Sequence, residues 1–225
     1  MLSGVEVLFQ GTTFLQLLKG LWVSVWIASS AMAGSVVLGV PLGLLMTSRN
    51  RTLRCLTRVY LEFIRIMPQL VLLFVFYFYV TLALGIDLDA PVAAVVVFIA
   101  WGTAELGDLV RGAVQSVPAH QLESAAALGL TRAQVQRDIV LPQCIRALLP
   151  GSVNLVTRMV KTTSLVVLIG VVEVLKAGQQ VIDRNRFDHP DAALWVYSTI
   201  FVLYFAVCFP LSRLAKKLEK KWSTT

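Results

Sequence analysis

Gln121–Pro142 reads QLESAAALGLTRAQVQRDIVLP, a polar stretch flanked on both sides by apolar sequence. Its Ala-rich part, Glu123–Leu128, favours a helix, because alanine loses least on entering one. Gly129 suits the left-handed position that closes such a helix. Thr131 can cap a second helix, predicted to run through Arg132–Leu141 and to stop at Pro142. Two short helices hinged on a glycine make a stiff projection rather than a slack linker. What lies on either side of it decides the fold.

The chain has 225 residues, 57% hydrophobic and 15% charged, whereas soluble domains carry roughly a quarter charged residues. The apolar residues come in blocks, and a helix needs about 20 of them to cross a bilayer. Upstream of the polar stretch, Ala90–Ala104 is too short to cross alone and must continue through Glu105, Asp108 and Arg111. Before it stand Gly20–Ser48, free of charge with Pro41 as an expected kink, and Ile66–Ile86, approached through Leu61–Arg65 and Pro68. Downstream come Ala147–Val172, interrupted by Arg158 and Lys161, and Ala192–Ser212. Thr47–Arg58 reads as a short basic loop, Gly85–Pro91 as an acidic turn and Glu173–Asp191 as a polar connection. The expected fold is therefore an all-α integral membrane protein with five transmembrane helices. Residues 1–16 form an N-terminal extracytoplasmic segment, 17–214 the membrane domain with its cytoplasmic loop at 118–146, and 215–225 a basic cytoplasmic tail.

Charge sets the orientation. The net charge of +7 could suggest nucleic acid, but no nucleic-acid motif accompanies the basic residues, which cluster beside apolar blocks. Arg49, Arg51, Arg54, Arg58, Arg111, Arg132, Arg137, Arg146 and the five basic residues of the tail fall on one side of a five-span topology. Only Lys19, Lys176, Arg184 and Arg186 fall on the other. The positive-inside rule then places the N-terminus outside and the C-terminus in the cytoplasm. Cys55, Cys144 and Cys208 are scattered, and His120 and His189 isolated, so neither a disulfide framework nor a metal site is expected. No basic n-region with a cleavage site is present, so no removable signal peptide is expected. Glu6–Gly11 (EVLFQG) is similar to a viral 3C protease site, but Val5 and Thr12 replace its usual flanks and the segment reads as native. No Gly-rich loop with Lys and Ser/Thr could cradle a nucleotide phosphate.

The spacing Glu123-Ser124-Ala125, three residues, Gly129, nine residues, Ile139-x-Leu141-Pro142 resembles the EAA loop of ABC importer permeases, with Ser124 in place of the usual first Ala. Leu17–Ala28 (LLKGLWVSVWIA) resembles the start of the first span in polar amino acid permeases. Ile64–Pro68 (IRIMP) resembles their FRxxP segment, Asp108–Val117 (DLVRGAVQSV) their ExxRxxxxS segment, and Lys161–Leu165 (KTTSL) their KDTSL. Glu173 stands where a PE pair is common. The resemblance covers about Leu17 to Lys221 and implies the MetI-like fold of a type I ABC importer permease in the bacterial inner membrane. It also implies partners: ABC ATPase subunits that bind ATP-Mg, a second permease copy or paralogue, and an extracytoplasmic amino-acid-binding protein docking on the outer surface, including Glu173–Asp191. The loop would seat on the ATPase and transmit its motion. The chain itself would need no cofactor and catalyse nothing.

Charges inside spans are costly and face a partner or a watery path. Glu105 and Asp108 lie three apart on one helix face, as do Arg158 and Lys161. Asp108 with Arg111 reads as a structural pair. Arg65, Glu105, Asp108, Arg158, Lys161, Thr162 and Ser164 are the candidate translocation path, with Thr162 and Ser164 as hydrogen-bonding groups. Arg158 points to an acidic amino acid and Glu105 to a basic one, and the two signals conflict. Trp22, Trp26, Trp101, Trp195 and Trp222 read mainly as an interfacial belt. The same charges would also suit an ion-coupled secondary transporter or channel, which would leave the loop spacing unexplained. An intramembrane enzyme finds no supporting Ser/His, paired-Asp or HExxH arrangement.

Overall fold

The computed structural model describes residues 3–85 and 88–222, so the end of the second predicted span, part of the acidic turn and the last three tail residues lie outside the described residues. The described elements are helical throughout: α1 (Ser3–Phe9), α2 (Thr13–Met46), α3 (Arg51–Ile66), α4 (Gln69–Leu84), α5 (Ala90–Gln115), α6 (Ala119–Ala127), α7 (Arg132–Gln134), α8 (Leu141–Thr162), α9 (Val174–Arg184) and α10 (Ala192–Trp222). A π-helical segment, Val135–Val140, joins α7 to α8, and a 3-10 segment, Thr163–Ile169, follows α8. Among the described residues four helical stretches are long and apolar enough to cross a membrane, and five if α3 and α4, broken at Met67–Pro68, are counted as one span.

Several expectations change. The basic Thr47–Arg58 segment is not a loop beyond Asn50. Asn50 Oδ1 accepts the N–H groups of Thr52 (2.9 Å) and Leu53 (3.5 Å), capping α3, and Thr57, Leu61 and Ile64 supply its buried stripe. The helix after Thr131 does not stop at Pro142. The backbone is helical without interruption from Arg132 to Ile169, and Pro142 sits in the first turn of α8. A proline ring within an α-helix meets the carbonyl four residues back. Here the preceding turn is π-helical, and Leu141 donates to Gln136 O, five residues back. The widened turn makes room for the ring. α2 likewise runs through Pro41, and α10 carries the basic tail to Trp222 as helix. Trp101 is buried and does not belong to an interfacial belt, whereas Trp22 and Trp26 are exposed.

The chain divides into two compact units, each assembled from three separated stretches. The first comprises residues 1–31, 69–98 and 156–210. Its core gathers Val7, Leu17, Val174, Val181, Val196 and Ile200. Val7 makes the EVLFQG helix an integral part of this core. Gly20 lets α2 press against the backbone at Glu173–Val174, where a Cβ would come 2.7 Å from Val174 Cα.

The second unit comprises residues 32–68, 99–155 and 211–225. Here α2 and α5 approach backbone to backbone. A Cβ on Gly43 would lie 2.5 Å from the Gly107 carbonyl oxygen and from Val110 Cβ, and one on Gly39 3.2 Å from the Thr103 carbonyl. Gly39 and Gly43 form a GxxxG pair, the spacing that lets membrane helices pack closely. Tyr60 OH donates to Ala100 O at 2.6 Å, tying α3 to the same helix.

Gly43→Ala forces α2 and α5 apart, because the obstructing atom is backbone. The expected loss is about 1–3 kcal/mol, read as a lower unfolding temperature in detergent. Gly112→Ala, where a Cβ meets nothing within 4 Å, is expected to show no such loss.

Candidate coupling and translocation sites

The polar stretch is built as two capped turns. At the end of α6, Gly129 adopts φ +77°. Its N–H donates to Ala126 O at 3.0 Å and that of Leu130 to Ala125 O at 3.1 Å, the paired bonds of a Schellman motif. Thr131 then opens α7 with a reciprocal capping box: its hydroxyl accepts the Gln134 N–H, and Gln134 Oε1 accepts the Thr131 N–H at 2.8 Å. Gln143 Nε2 donates to Gln121 Oε1 at 2.6 Å, bracing α6 against α8. Below them Ala113, Val140 and Cys144 form a small core with Val114, Val117, Val135 and Leu148 around it.

This scaffold presents a surface. Glu123, Ser124, Gly129 and Leu141 are exposed, Ile139 and Pro142 half-buried, and Ala125 buried. Leu128 is 81% exposed at the tip. Beside it an open groove of about 490 Å³ is lined by Ser124, Ala125, Leu128, Leu130, Ile139 and Pro142, among others. Four of the seven sequence-selected loop residues, Ser124, Ala125, Ile139 and Pro142, line this groove.

The candidate path residues divide between the two units. In the second unit Arg65, Glu105 and Asp108 form one ion network. Arg65 Nη2 donates to Asp108 Oδ2 at 2.6 Å and its Nε lies 3.5 Å from Glu105 Oε1. Arg111 Nη2 and Nε donate to Asp108 Oδ1 at 2.6 and 2.9 Å, and Arg111 Nη1 donates to Gln115 Oε1. Asp108 thus holds two guanidinium groups at once. The predicted Asp108–Arg111 pair is present, joined by an Arg65 that sequence spacing could not have brought in. In the first unit Arg158 and Lys161 are exposed, and Thr162 and Ser164 half-buried. Thr162 Oγ1 donates to Arg158 O and Ser164 Oγ to Lys161 O, each at 2.9 Å. Both hydroxyls spend their proton within the chain and retain lone pairs. Lys161 and Ser164 open onto an apolar groove of about 400 Å³ with Phe201, Tyr204, Phe205 and Cys208.

Glu173 is the feature that sequence spacing missed. It was assigned to an outward docking segment, but its side chain is fully buried. It caps α9: its carboxylate accepts the N–H groups of Leu175 and Lys176, each at 2.9 Å. The same group accepts the hydroxyls of Ser24 (3.3 Å) on α2 and Tyr204 (3.2 Å) on α10. Burial pushes this carboxyl above the usual glutamate range, partly offset by those four donors. Elsewhere the connection is exposed, as at Phe187.

A family profile described as the inner membrane component of binding-protein-dependent transport systems matches residues 39–224. The chain belongs to this family. It is a multi-pass inner-membrane component of a transport system, and the family favours an importer over a free-standing ion-coupled carrier or channel. The chain is 31% identical over 207 residues to the inner membrane amino-acid ABC transporter permease protein YhdY of Escherichia coli (strain K12), covering 91% of this chain and 56% of YhdY. It thus spans little more than half of that relative. It is also 31% identical to the glutamine transport system permease protein GlnP of the same strain, covering 91% of this chain and 92% of GlnP. A crystal structure of an amino acid ABC transporter with histidines superposes with a TM-score of 0.83 at 24% identity, covering 92% of this chain and 94% of that one. The family's fold, the type I importer permease, is the one the EAA-like spacing implied.

A folded carboxyl with a raised pKa binds its proton more readily than the unfolded chain does. Its contribution to stability is complete below the ordinary glutamate pKa and is lost as pH rises through the raised folded value. Glu173→Gln removes that titration and leaves an amide N–H₂ facing donors, a loss of about 1–3 kcal/mol. Thermal unfolding of both proteins between about pH 5 and pH 8 is expected to show a pH-dependent difference. A constant offset would mean that Glu173 does not titrate there.

Proposed function

We propose that the chain is the permease subunit of an ATP-binding cassette importer that carries polar amino acids into the cytoplasm. The observation that carries this is the projection from Glu123 to Pro142: a Schellman-closed helix and a capping-box helix, braced by Gln121–Gln143, with Leu128 at the exposed tip. Such an element transmits force without bending. The family match and the amino-acid permeases among its relatives support the substrate class. The reading carries the rest of the assembly with it. Two ATPase subunits bind ATP-Mg and perform the hydrolysis, so the permease holds no cofactor and makes no bond. A second permease copy or paralogue completes the path, and an extracytoplasmic binding protein delivers the amino acid. The N-terminus lies outside and the basic end of α10 inside, in keeping with the positive-inside distribution.

ATPase closure pushes on the groove beside Leu128. The motion enters α7, the π segment and α8, whose helical backbone runs on to Ile169. Arg158, Lys161, Thr162 and Ser164 lie along its second half and offer cations and lone pairs to a zwitterion. Arg65, Glu105 and Asp108 are already committed to one another, so their role is to hold the second unit together. Arg158, exposed on α8, is the residue we take as the guide to substrate preference.

Gly129→Pro tests the coupling. Proline cannot adopt φ +77° and has no N–H for Ala126 O. The variant is expected to insert normally but to lose ATP-driven uptake in proteoliposomes containing the ATPase and binding protein. Uptake at the wild-type rate would refute the coupling role, and uptake driven by an ion gradient without ATP would refute the importer reading. Arg158→Ala is expected to raise the KM of the complex for acidic amino acids more than for neutral ones; an unchanged selectivity profile would remove Arg158 from the path.

A further inference from the structure

Helix α10 turns three rings, Phe201, Tyr204 and Phe205, onto the groove of about 400 Å³ that Lys161, Ser164 and Cys208 also line. Phe201 and Phe205 are exposed and stack with centroids 6.5 Å apart. A phenyl ring has no polar atom to fix it, so packing alone orients these two. Tyr204 differs. It is half-buried, packs against the core of the first unit, and donates its hydroxyl to Glu173 Oε2 at 3.2 Å. The acceptor is itself fixed, because the same carboxylate caps α9 through the N–H groups of Leu175 and Lys176 and accepts the hydroxyl of Ser24 on α2. The Tyr204 ring is thus held at both ends, by its own helix and by a fully buried carboxylate. Swinging it would strand a buried acceptor, which costs more than losing an exposed hydrogen bond. All of these residues lie in the first unit.

We propose that Tyr204 is a positioning residue of the solute groove: Glu173 pins its hydroxyl and so fixes the ring that the solute meets beside Lys161 and Ser164. The inference rests on the reading of Lys161 and Ser164 as path residues of an importer. It gives Glu173 a second task besides capping α9. The carboxylate touches no solute and acts on the groove through Tyr204. A fixed ring offers a solute contact area at little entropic cost, whereas a free one must first be ordered.

Cys208 reports on the groove from within it, so the test measures how fast N-ethylmaleimide labels this thiol in the purified transporter complex, read by peptide mass spectrometry. Tyr204→Phe keeps the ring and loses the pin, and Cys208 is expected to label roughly fivefold faster, the effect of one hydrogen bond. Glu173→Gln is expected to speed labelling too, and adding Tyr204→Phe to it to bring little further change, since both break one link. Ser24→Ala removes a different donor from the same carboxylate, leaves the ring pinned, and is expected to label as wild type does. This variant separates the pin from a general loosening and serves also where Glu173→Gln does not fold. Glutamine or glutamate, added with ATP and the binding protein, is expected to slow labelling of wild type, and Tyr204→Phe to need roughly fivefold more solute for the same protection. Tyr204→Phe labelling and protected as wild type would overturn the pin alone, as would equal acceleration by Ser24→Ala. Wild-type labelling indifferent to both solutes would instead overturn the solute reading of the groove, and the role of Tyr204 with it.

Discussion

Glu173 is the constraint around which the first unit is arranged. A carboxylate fully buried between membrane helices is tolerable only if every oxygen finds a donor. The donors come from three elements: the first turn of α9, Ser24 on α2 and Tyr204 on α10. Each must hold its position for the charge to be met. Gly20 then follows as a necessity, because any side chain there would strike the backbone at Glu173–Val174 and pull Ser24 away. The neighbouring apolar cluster of Leu17, Val174, Val196 and Ile200 packs against Tyr204, one of these donors, and Glu173 itself is fully buried. The carboxylate thereby favours one arrangement of α2, α9 and α10, the one in which all four donors meet it.

The second unit solves a related problem with less desolvation. Asp108 pairs with two arginines and Glu105 adds a second carboxylate on Arg65, all partly open to solvent, so the network fixes how α3 and α5 meet at a modest net gain in stability. Backbone proximity does more there. Between helices in a bilayer no hydrophobic driving force favours one contact over another, and close van der Waals approach takes its place. Gly39, Gly43 and Gly107 permit that approach, and Ser35 Oγ reaches the Ile99 carbonyl at 3.5 Å across the same contact.

The membrane class, the helical content and the projecting loop were legible in the sequence because each is a local property. Block hydrophobicity needs no partner, and Gly129 and Thr131 announce their caps by residue type alone. The loop residues were found together for the same reason: their spacing spans two adjacent turns. Arg65 meeting Asp108 was not legible as geometry, since 43 residues separate them. Glu173 was misplaced because a lone carboxylate in a polar connection looks exposed, and its donors at Ser24 and Tyr204 lie in distant helices. The GxxxG pair at Gly39 and Gly43 was a visible signal that went unused. Pro142 failed for a different reason. The rule that proline ends a helix assumes α-geometry in the preceding turn, and here that turn is π-helical.

That wide turn bears on how force could pass along the chain. A helix broken at Pro142 would separate the projecting turns from the span by a joint, and a push on Leu128 would dissipate as bending. The π segment avoids the joint. It absorbs the proline ring by shifting the hydrogen-bond register from four residues to five while keeping the backbone bonded. At the other end, α8 tightens to 3-10 geometry from Thr163 until Gly170 at φ +90° stops it. One helical backbone therefore contains a loosened turn, a regular α-helix and a tightened stretch, with Arg158 and Lys161 in the last turn of the regular part. Loosened and tightened turns have poorer hydrogen-bond geometry than the α-helix between them and yield first under load. A load carried along this backbone would therefore be taken up at the two ends of α8, in the π segment Val135–Val140 and in the 3-10 stretch Thr163–Ile169.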